Sequence, residues 1–405
     1  MHERGVPATE VLVELGRRQA REPSVHGARL FGLVYPTGRP DLEDFIVEVH
    51  RRYLFHNALN PFKFPELAAL EGEVVSMTGA LAHLPEGGGG TMTSGGTESI
   101  LMSMLVNRER ARCRGVERPQ ILAPVSAHPA YAKAAHYFDM EVVPIPLDEG
   151  YRADVGAAAA LAGPRTAVVV ASAFSYPHGV MDPVADLAAL AAEHGAGCHV
   201  DACIGGFVLP FLERLDVAVP PWDFRVPGVT EMSADVHKYG YVPKGASVVL
   251  HRDDDWFGHQ VFLYDRWPAG LYGSPAIAGA RPAAPVAVAW AVMTHLGIEG
   301  YLDLMRSLLG TVAEIRSGIE ALPGIEIVGD PVGPVLALRS DVHDLAAIGD
   351  VMDDRGWHLN RNTDPPGLHL MLSPAHGAVA GDLLADLASA VEHHGESRGV
   401  QARYS

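Results

Sequence analysis

Between about residues 90 and 255 the chain alternates short apolar runs with longer stretches whose apolar residues recur every three or four positions. The runs are 120–125, 141–146, 166–173, 197–202, 229–234 and 246–251, apolar at nearly every position and rich in β-branched residues. They predict strands buried on both faces, because a strand with one wet face would alternate apolar with polar. The stretches 130–138, 154–161 and 182–194 are long enough for crossover helices. Strand and helix in alternation predict a layered α/β domain with a mostly parallel sheet. After the Pro- and Gly-rich stretch 268–285 a helical period runs from about Val286 into Leu322. Strand-like pieces follow at 325–328, 335–339 and 369–372, with helices near 341–355 and 381–393. This predicts a smaller C-terminal α+β unit reached through a long helix.

With 405 residues, 48% of them apolar and 20% charged, the chain has the composition of an ordinary globular protein and material for a large core. A net charge of −18 repels phosphate backbones and anionic membrane surfaces, so no nucleic-acid partner is expected. Apolar stretches such as 167–174 and 284–293 are far shorter than the ~20 residues of a membrane span. The opening segment reads as amphipathic, with no signal-peptide pattern. Cys113, Cys198 and Cys203 form no CxxC pair and are too few for a disulfide framework, which predicts a soluble protein in the reducing cytoplasm. Lysines number only four, Lys63, Lys133, Lys238 and Lys244, so any chemistry needing an amine nucleophile has four candidates.

The run Ser233-Ala234-Asp235-Val236-His237-Lys238-Tyr239-Gly240 sits at the end of an expected strand, where ligands of α/β sheets bind. Lys238 there is placed to form a Schiff base with a carbonyl cofactor, with His237 beside it as a hydrogen-bond donor. Taken by itself the segment also reads as a surface loop. Asp201 closes another apolar strand, where a carboxylate is costly without a cationic partner such as a protonated pyridine nitrogen. A turn or helix-capping aspartate is the other reading. The Gly- and hydroxyl-rich turn 91–99 precedes a helical period, so the backbone N–H groups of Gly96 and Thr97 make an anion site suited to a cofactor phosphate. Its spacing matches neither the nucleoside-triphosphate loop nor the dinucleotide fingerprint. His128 follows the strand at 120–125, where an imidazole stacks on a flat ligand or is simply solvated. No HExxH pair exists, and no metal is expected.

Together these form an ordered set of phosphate loop, stacking histidine, ring-nitrogen aspartate and Schiff-base lysine. The set resembles the fold-type I pyridoxal-phosphate enzymes, more narrowly the group II decarboxylases, and within them the sphingosine-1-phosphate lyase family. Matching segments include 32–35, 57–65, 93–102, 128–138, 177–183, 199–207, 233–245, 272–282 and 356–376. The resemblance implies an aspartate aminotransferase-like fold, with an N-terminal segment 1–60 contributing to dimer and active site, a large cofactor domain 61–290 and a small domain 291–405. It implies pyridoxal 5'-phosphate held covalently by Lys238, with Asp201 on the ring nitrogen, His128 stacked on the ring and Cys203 beneath it. Gly96, Thr97 and His237 would grip the phosphate. Ser274 would reach the neighbouring subunit's phosphate, Tyr35 would enter from the partner chain, and Lys244 would stand near the substrate; a homodimer with shared sites follows. The family's Asn-Pro-Leu-His segment is Asn57-Ala58-Leu59-Asn60 here, so Asn60 replaces a histidine that contacts the substrate's headgroup. The implied reaction is retro-aldol cleavage of a β-hydroxy amine to an aldehyde and a smaller amine. Decarboxylation of an amino acid uses the same apparatus and is the alternative, and a catalytically silent cofactor-binding relative is the third.

Overall fold

The computed structural model describes residues 1 and 3–399. Its main sheet comprises β1 (Gly89–Thr93), β2 (Gln120–Pro124), β3 (Glu141–Ile145), β4 (Thr166–Ser172), β5 (Gly197–Asp201), β6 (Glu231–Ala234) and β7 (Ser247–His251). Their order is β1-β7-β6-β5-β4-β2-β3. Only β7 runs against the others, pairing antiparallel with both β6 and β1. The remaining six strands therefore end at one edge of the sheet. The helices of this part of the chain are α1 (Ala8–Gln19), which has no buried residue, α2 (Pro40–Tyr53), α3 (Pro65–Leu81), α4 (Gly96–Cys113), α5 (Ala130–Phe138), α6 (Val155–Leu161), α7 (Val184–Glu193), α8 (Leu209–Arg214) and α9 (Asp254–Gly258); α3, α4, α5, α6, α7 and α9 pack against the sheet. Every residue of β4 and β5 is buried, which is why these strands show no alternation in the sequence.

A short hairpin of β8 (Phe262–Tyr264) and β9 (Tyr272–Ser274) leads into α10 (Ala284–Glu320). The C-terminal unit then forms an antiparallel sheet ordered β10-β11-β13-β12, from β10 (Glu326–Ile327), β11 (Val335–Arg339), β12 (Asn360–Thr363) and β13 (Pro366–Met371). It is covered by α11 (Leu345–Asp354) and α12 (Ala380–His393). Among the described residues no helix is long and apolar enough to cross a membrane.

Four differences from the sequence pattern have local causes. The strand at β3 is not buried on both faces: it is an edge strand with Pro144 exposed, a position that tolerates a residue without a ladder N–H. The glycine-rich β1 carries almost no strand signal, yet it pairs tightly with β7; a Cβ on Gly90 would lie 2.1 Å from the Val249 carbonyl oxygen. The long α10 is broken at Gly297, whose φ of 53° and ψ of −169° leave the helical region. Also unforeseen is β12, a polar strand of Asn360, Arg361, Asn362 and Thr363.

Candidate active site

The loops leaving the parallel strands enclose a cavity of about 310 Å³ at the sheet's carboxyl edge. Gly96 and Thr97 reach it from the turn between β1 and α4, and His128 from the loop after β2. Asp201 and Cys203 come from the end of β5, and Asp235, His237 and Lys238 from the loop after β6. Seven residues singled out in the sequence, namely Gly96, Thr97, His128, Asp201, Cys203, His237 and Lys238, thus line one space.

The start of α4 forms one wall. No side chain caps this helix, so the N–H groups of its first turn face the cavity with the positive end of the helix dipole. Glu98 fixes the turn: its Oε2 accepts from the Ser94 backbone N–H at 2.8 Å and from Ser94 Oγ at 2.6 Å, while Oε1 accepts from the Ile277 N–H at 3.1 Å. Gly96 is required by close approach. A Cβ there would sit 2.6 Å from Cys203 Sγ and 2.9 Å from a carboxylate oxygen of Asp235.

Lys238 Nζ stands 3.0 Å from Asp235 Oδ2. Burial pushes Asp235 up, but Lys238 and His237 outweigh it and hold the carboxylate below its usual range. His237 is drawn down to about 4, chiefly by burial, so its ring is neutral at physiological pH. Burial likewise lowers His128, against the pull of Asp201. His128 Nδ1 accepts from the Ala130 N–H at 3.1 Å, and the residue lines the cavity. Asp201 Oδ1 accepts from the Cys203 N–H at 3.1 Å and from Ser233 Oγ at 3.4 Å.

Three expected residues do not line this cavity within one chain. Lys244 packs its ammonium 3.0 Å from the His237 carbonyl oxygen and 4.4 Å above the Tyr35 ring. Although part of Lys244 faces solvent, burial of the ammonium and repulsion from Lys238 pull it down to about 8. Tyr35 also stands edge-on to Tyr239, with ring centres 5.2 Å apart. Ser274 closes on its own loop, its Oγ donating to the Ala276 carbonyl at 3.0 Å. Asn60 is a turn-capping residue whose Oδ1 accepts from the Phe62 and Lys63 N–H groups at 3.0 and 3.1 Å. Asp235 is the functional group the sequence reading passed over; its i, i+3 spacing to Lys238 was the available signal. Tyr176, which also lines the cavity, had no motif to mark it.

These donors suit pyridoxal phosphate. The buried Nδ1 of His237 has no hydrogen-bond partner, and the uncapped α4 start adds N–H donors for an anion. A flat imidazole and a buried carboxylate complete a site for a protonated heteroaromatic ring. Among the described residues no cluster has the makings of a metal site.

Comparison with known proteins agrees with the chemistry. The pyridoxal-dependent decarboxylase conserved domain matches residues 54–340. The sphingosine-1-phosphate lyase of Oryza sativa is 39% identical over 394 residues, covering 95% of this chain and 73% of the relative. Sphingosine-1-phosphate lyase 1 of Mus musculus is 39% identical over 390 residues, covering 96% and 68%. The solved structure of a Burkholderia pseudomallei sphingosine-1-phosphate lyase superposes with a TM-score of 0.93 at 38% identity, over 97% of this chain and 92% of that one. A Lactobacillus brevis glutamate decarboxylase, 21% identical with a TM-score of 0.86, shares the fold. On the strength of these matches the chain belongs to the pyridoxal-dependent decarboxylase family, in the branch of the sphingosine-1-phosphate lyases, and is a pyridoxal-phosphate-dependent lyase.

Proposed function

We propose that the protein cleaves the bond between the amine-bearing and hydroxyl-bearing carbons of a long-chain β-hydroxy amine phosphate such as sphingosine-1-phosphate. The products are an aldehyde and a smaller phosphorylated amine. The observation that carries this reading is the close relationship, along nearly the whole chain, to proteins named for that activity.

Bound pyridoxal phosphate supplies an electron sink for the pair released when a bond to the amine-bearing carbon breaks. Lys238 is the covalent anchor, and Asp235 at 3.0 Å stabilises its ammonium form whenever the amine is free. Asp201 holds a proton on the ring nitrogen, His128 covers a ring face and Cys203 packs against the ring. Gly96, Thr97 and His237 bind the phosphate. Lys244, stacked on Tyr35 and able to exchange protons near pH 8, is a substrate-side cation. The chain acts as a cytoplasmic homodimer in which Ser274 and Tyr35 serve the site across the interface. In support, Phe55 is 94% and Phe62 92% exposed in the single chain, and every residue of β8 is exposed.

The test presents holoenzyme with a panel of amino acids and β-hydroxy amines, with and without phosphate, and assays aldehyde and carbon dioxide in parallel. Aldehyde from the phosphorylated amine alone supports the reading. Carbon dioxide from an amino acid, without aldehyde, replaces it with decarboxylation. Borohydride reduction followed by peptide mapping places the cofactor; label on any lysine other than Lys238 refutes the anchor assignment.

A further inference from the structure

Behind Asp201 lies a buried chain of hydrogen bonds that no step above uses. Strand register pairs His199 of β5 with Glu231 of β6, and Asp201 with Ser233. Residues two apart on a strand share a face, so these four polar side chains form one patch on the sheet side covered by α4 and α5. Asn107 of α4 donates to Glu231, and Tyr131 of α5 sets its ring edge-on to His199 at 6.0 Å. His199, Glu231 and Ser233 are all fully buried, beside Cys198, Val200, Met232 and Ala234 of the same two strands. A patch of this kind destabilises a core unless its polar atoms are used.

Ser233 Oγ is the junction. It lies 3.4 Å from Asp201 Oδ1, 3.2 Å from His199 Nε2 and 3.3 Å from Cys203 Sγ. One assignment of hydrogens satisfies every contact of an ionised Asp201. The Ser233 hydroxyl donates to the carboxylate, while its oxygen accepts from His199 Nε2–H and from the Cys203 thiol. His199 Nδ1 is then the bare nitrogen, and it has no partner. The hydrogens of His199 Nε2 and Ser233 Oγ thus both point toward Asp201.

We propose that Ser233 and His199 are positioning residues for Asp201, holding its carboxylate in the orientation and charge state that the cofactor's ring nitrogen requires. This rests on the reading of Asp201 as the ring-nitrogen partner. Donors aimed at a carboxylate favour its charged form, and more strongly in a buried site than in water. His199 is held as a neutral donor: burial draws it below the usual imidazole range although Glu231 and Asp201 pull the other way. The remaining titratable groups around the pair are His251, which lies 3.3 Å from Glu231, and Tyr131, Cys203, His128, Lys238 and Asp235 around Asp201.

The experiment uses holoenzyme of Ser233→Ala, His199→Phe, His199→Gln and, as reference, Asp201→Ala. Cofactor absorption is recorded against pH, and cofactor release is followed by equilibrium dialysis. Losing the Ser233 hydrogen bond to the charged Asp201 is expected to move the spectral midpoint by roughly one pH unit and weaken cofactor retention about tenfold in Ser233→Ala, and losing the donor that orients that hydroxyl is expected to move both in the same direction in His199→Phe. His199→Gln keeps an N–H donor and is expected to recover most of both. Wild-type spectra and retention in a folded Ser233→Ala, with Asp201→Ala strongly altered, overturn this inference alone. Wild-type behaviour in Asp201→Ala overturns the reading of Asp201 and this inference with it. If His199→Phe does not fold, Ser233→Ala, which removes a single oxygen, decides the matter.

Discussion

Replacing Gly96 with Ala probes the site at the point where three of its loops meet. The added methyl would lie 2.6 Å from Cys203 Sγ and 2.9 and 3.0 Å from the two carboxylate oxygens of Asp235. Carbon contacts are comfortable at about 3.5–4.0 Å, so one of these loops must retreat by about 1 Å. Neither can do so locally. Cys203 is two residues beyond Asp201, and its N–H is bonded to that carboxylate; Asp235 is paired with Lys238. Overpacking of this kind costs about 1–3 kcal/mol in the folded apoprotein. A displacement of about 1 Å in a positioning element can cost about a hundredfold in turnover. The expected result is therefore a folded but weakened apoprotein, at least about tenfold weaker cofactor binding by fluorescence titration, and about a hundredfold lower kcat/KM. Gly310→Ala is the matched control. It lies in α10 with nothing within 4 Å of the new methyl, and is expected to stabilise the protein by up to about 1 kcal/mol without touching cofactor binding. A Gly96→Ala protein that binds cofactor and turns over like wild type refutes the cradle.

Three further outcomes follow from the geometry. Lys244 is pulled down to about 8, so its cationic form, and the activity that needs it, is lost as pH rises through that value. Lys244→Arg keeps the charge and moves the alkaline limb of the kcat/KM profile upward; an unmoved limb excludes Lys244 as the titrating group. His369 is buried, its Nε2–H donates to the Tyr176 carbonyl oxygen at 2.8 Å, and it is drawn down to about 4, chiefly by burial. Since the unfolded chain protonates this ring first, its contribution is full above about pH 6.5 and is lost as pH falls toward 4, about 3 kcal/mol in all. Urea midpoints of His369→Gln should fall less steeply over that window than those of wild type, and parallel curves refute the assignment. Finally, Phe55→Ser with Phe62→Ser should shift the protein from dimer to monomer in sedimentation and lower specific activity on dilution; an unaltered dimer places the interface elsewhere.

Much of the site was legible because its residues stand at strand ends in an α/β pattern. Asp201, His128 and Lys238 each follow an expected strand, and the fold carries the ends of those strands to one edge. The helix at α4 was equally plain from its period. What escaped notice depends on contacts distant in sequence. The strand β1 is held by β7 some 150 residues later, and Thr91 and Thr93 are its whole β-branched signal in a segment that must contain Gly90 for the two backbones to meet. Asp235 looked like one more polar residue in a loop until folding set it against Lys238 and Gly96. Lys244, Tyr35 and Ser274 were named through family resemblance, and a single chain leaves them outside the cavity, where Lys244 and Tyr35 at least pack on one another. The His199 and Ser233 patch was hidden because two polar residues within buried strands blur an apolar run without marking a motif.

The proposed reaction breaks one carbon–carbon bond. It is tested by giving holoenzyme sphingosine-1-phosphate labelled with heavy carbon at both the amine-bearing and the hydroxyl-bearing positions and following the sample by carbon NMR. The coupling between the two labels is expected to disappear as one label emerges in an aldehyde and the other in the phosphorylated amine, in equal amounts, with no reaction in Lys238→Ala. Products in which the two labels remain bonded to each other would contradict it.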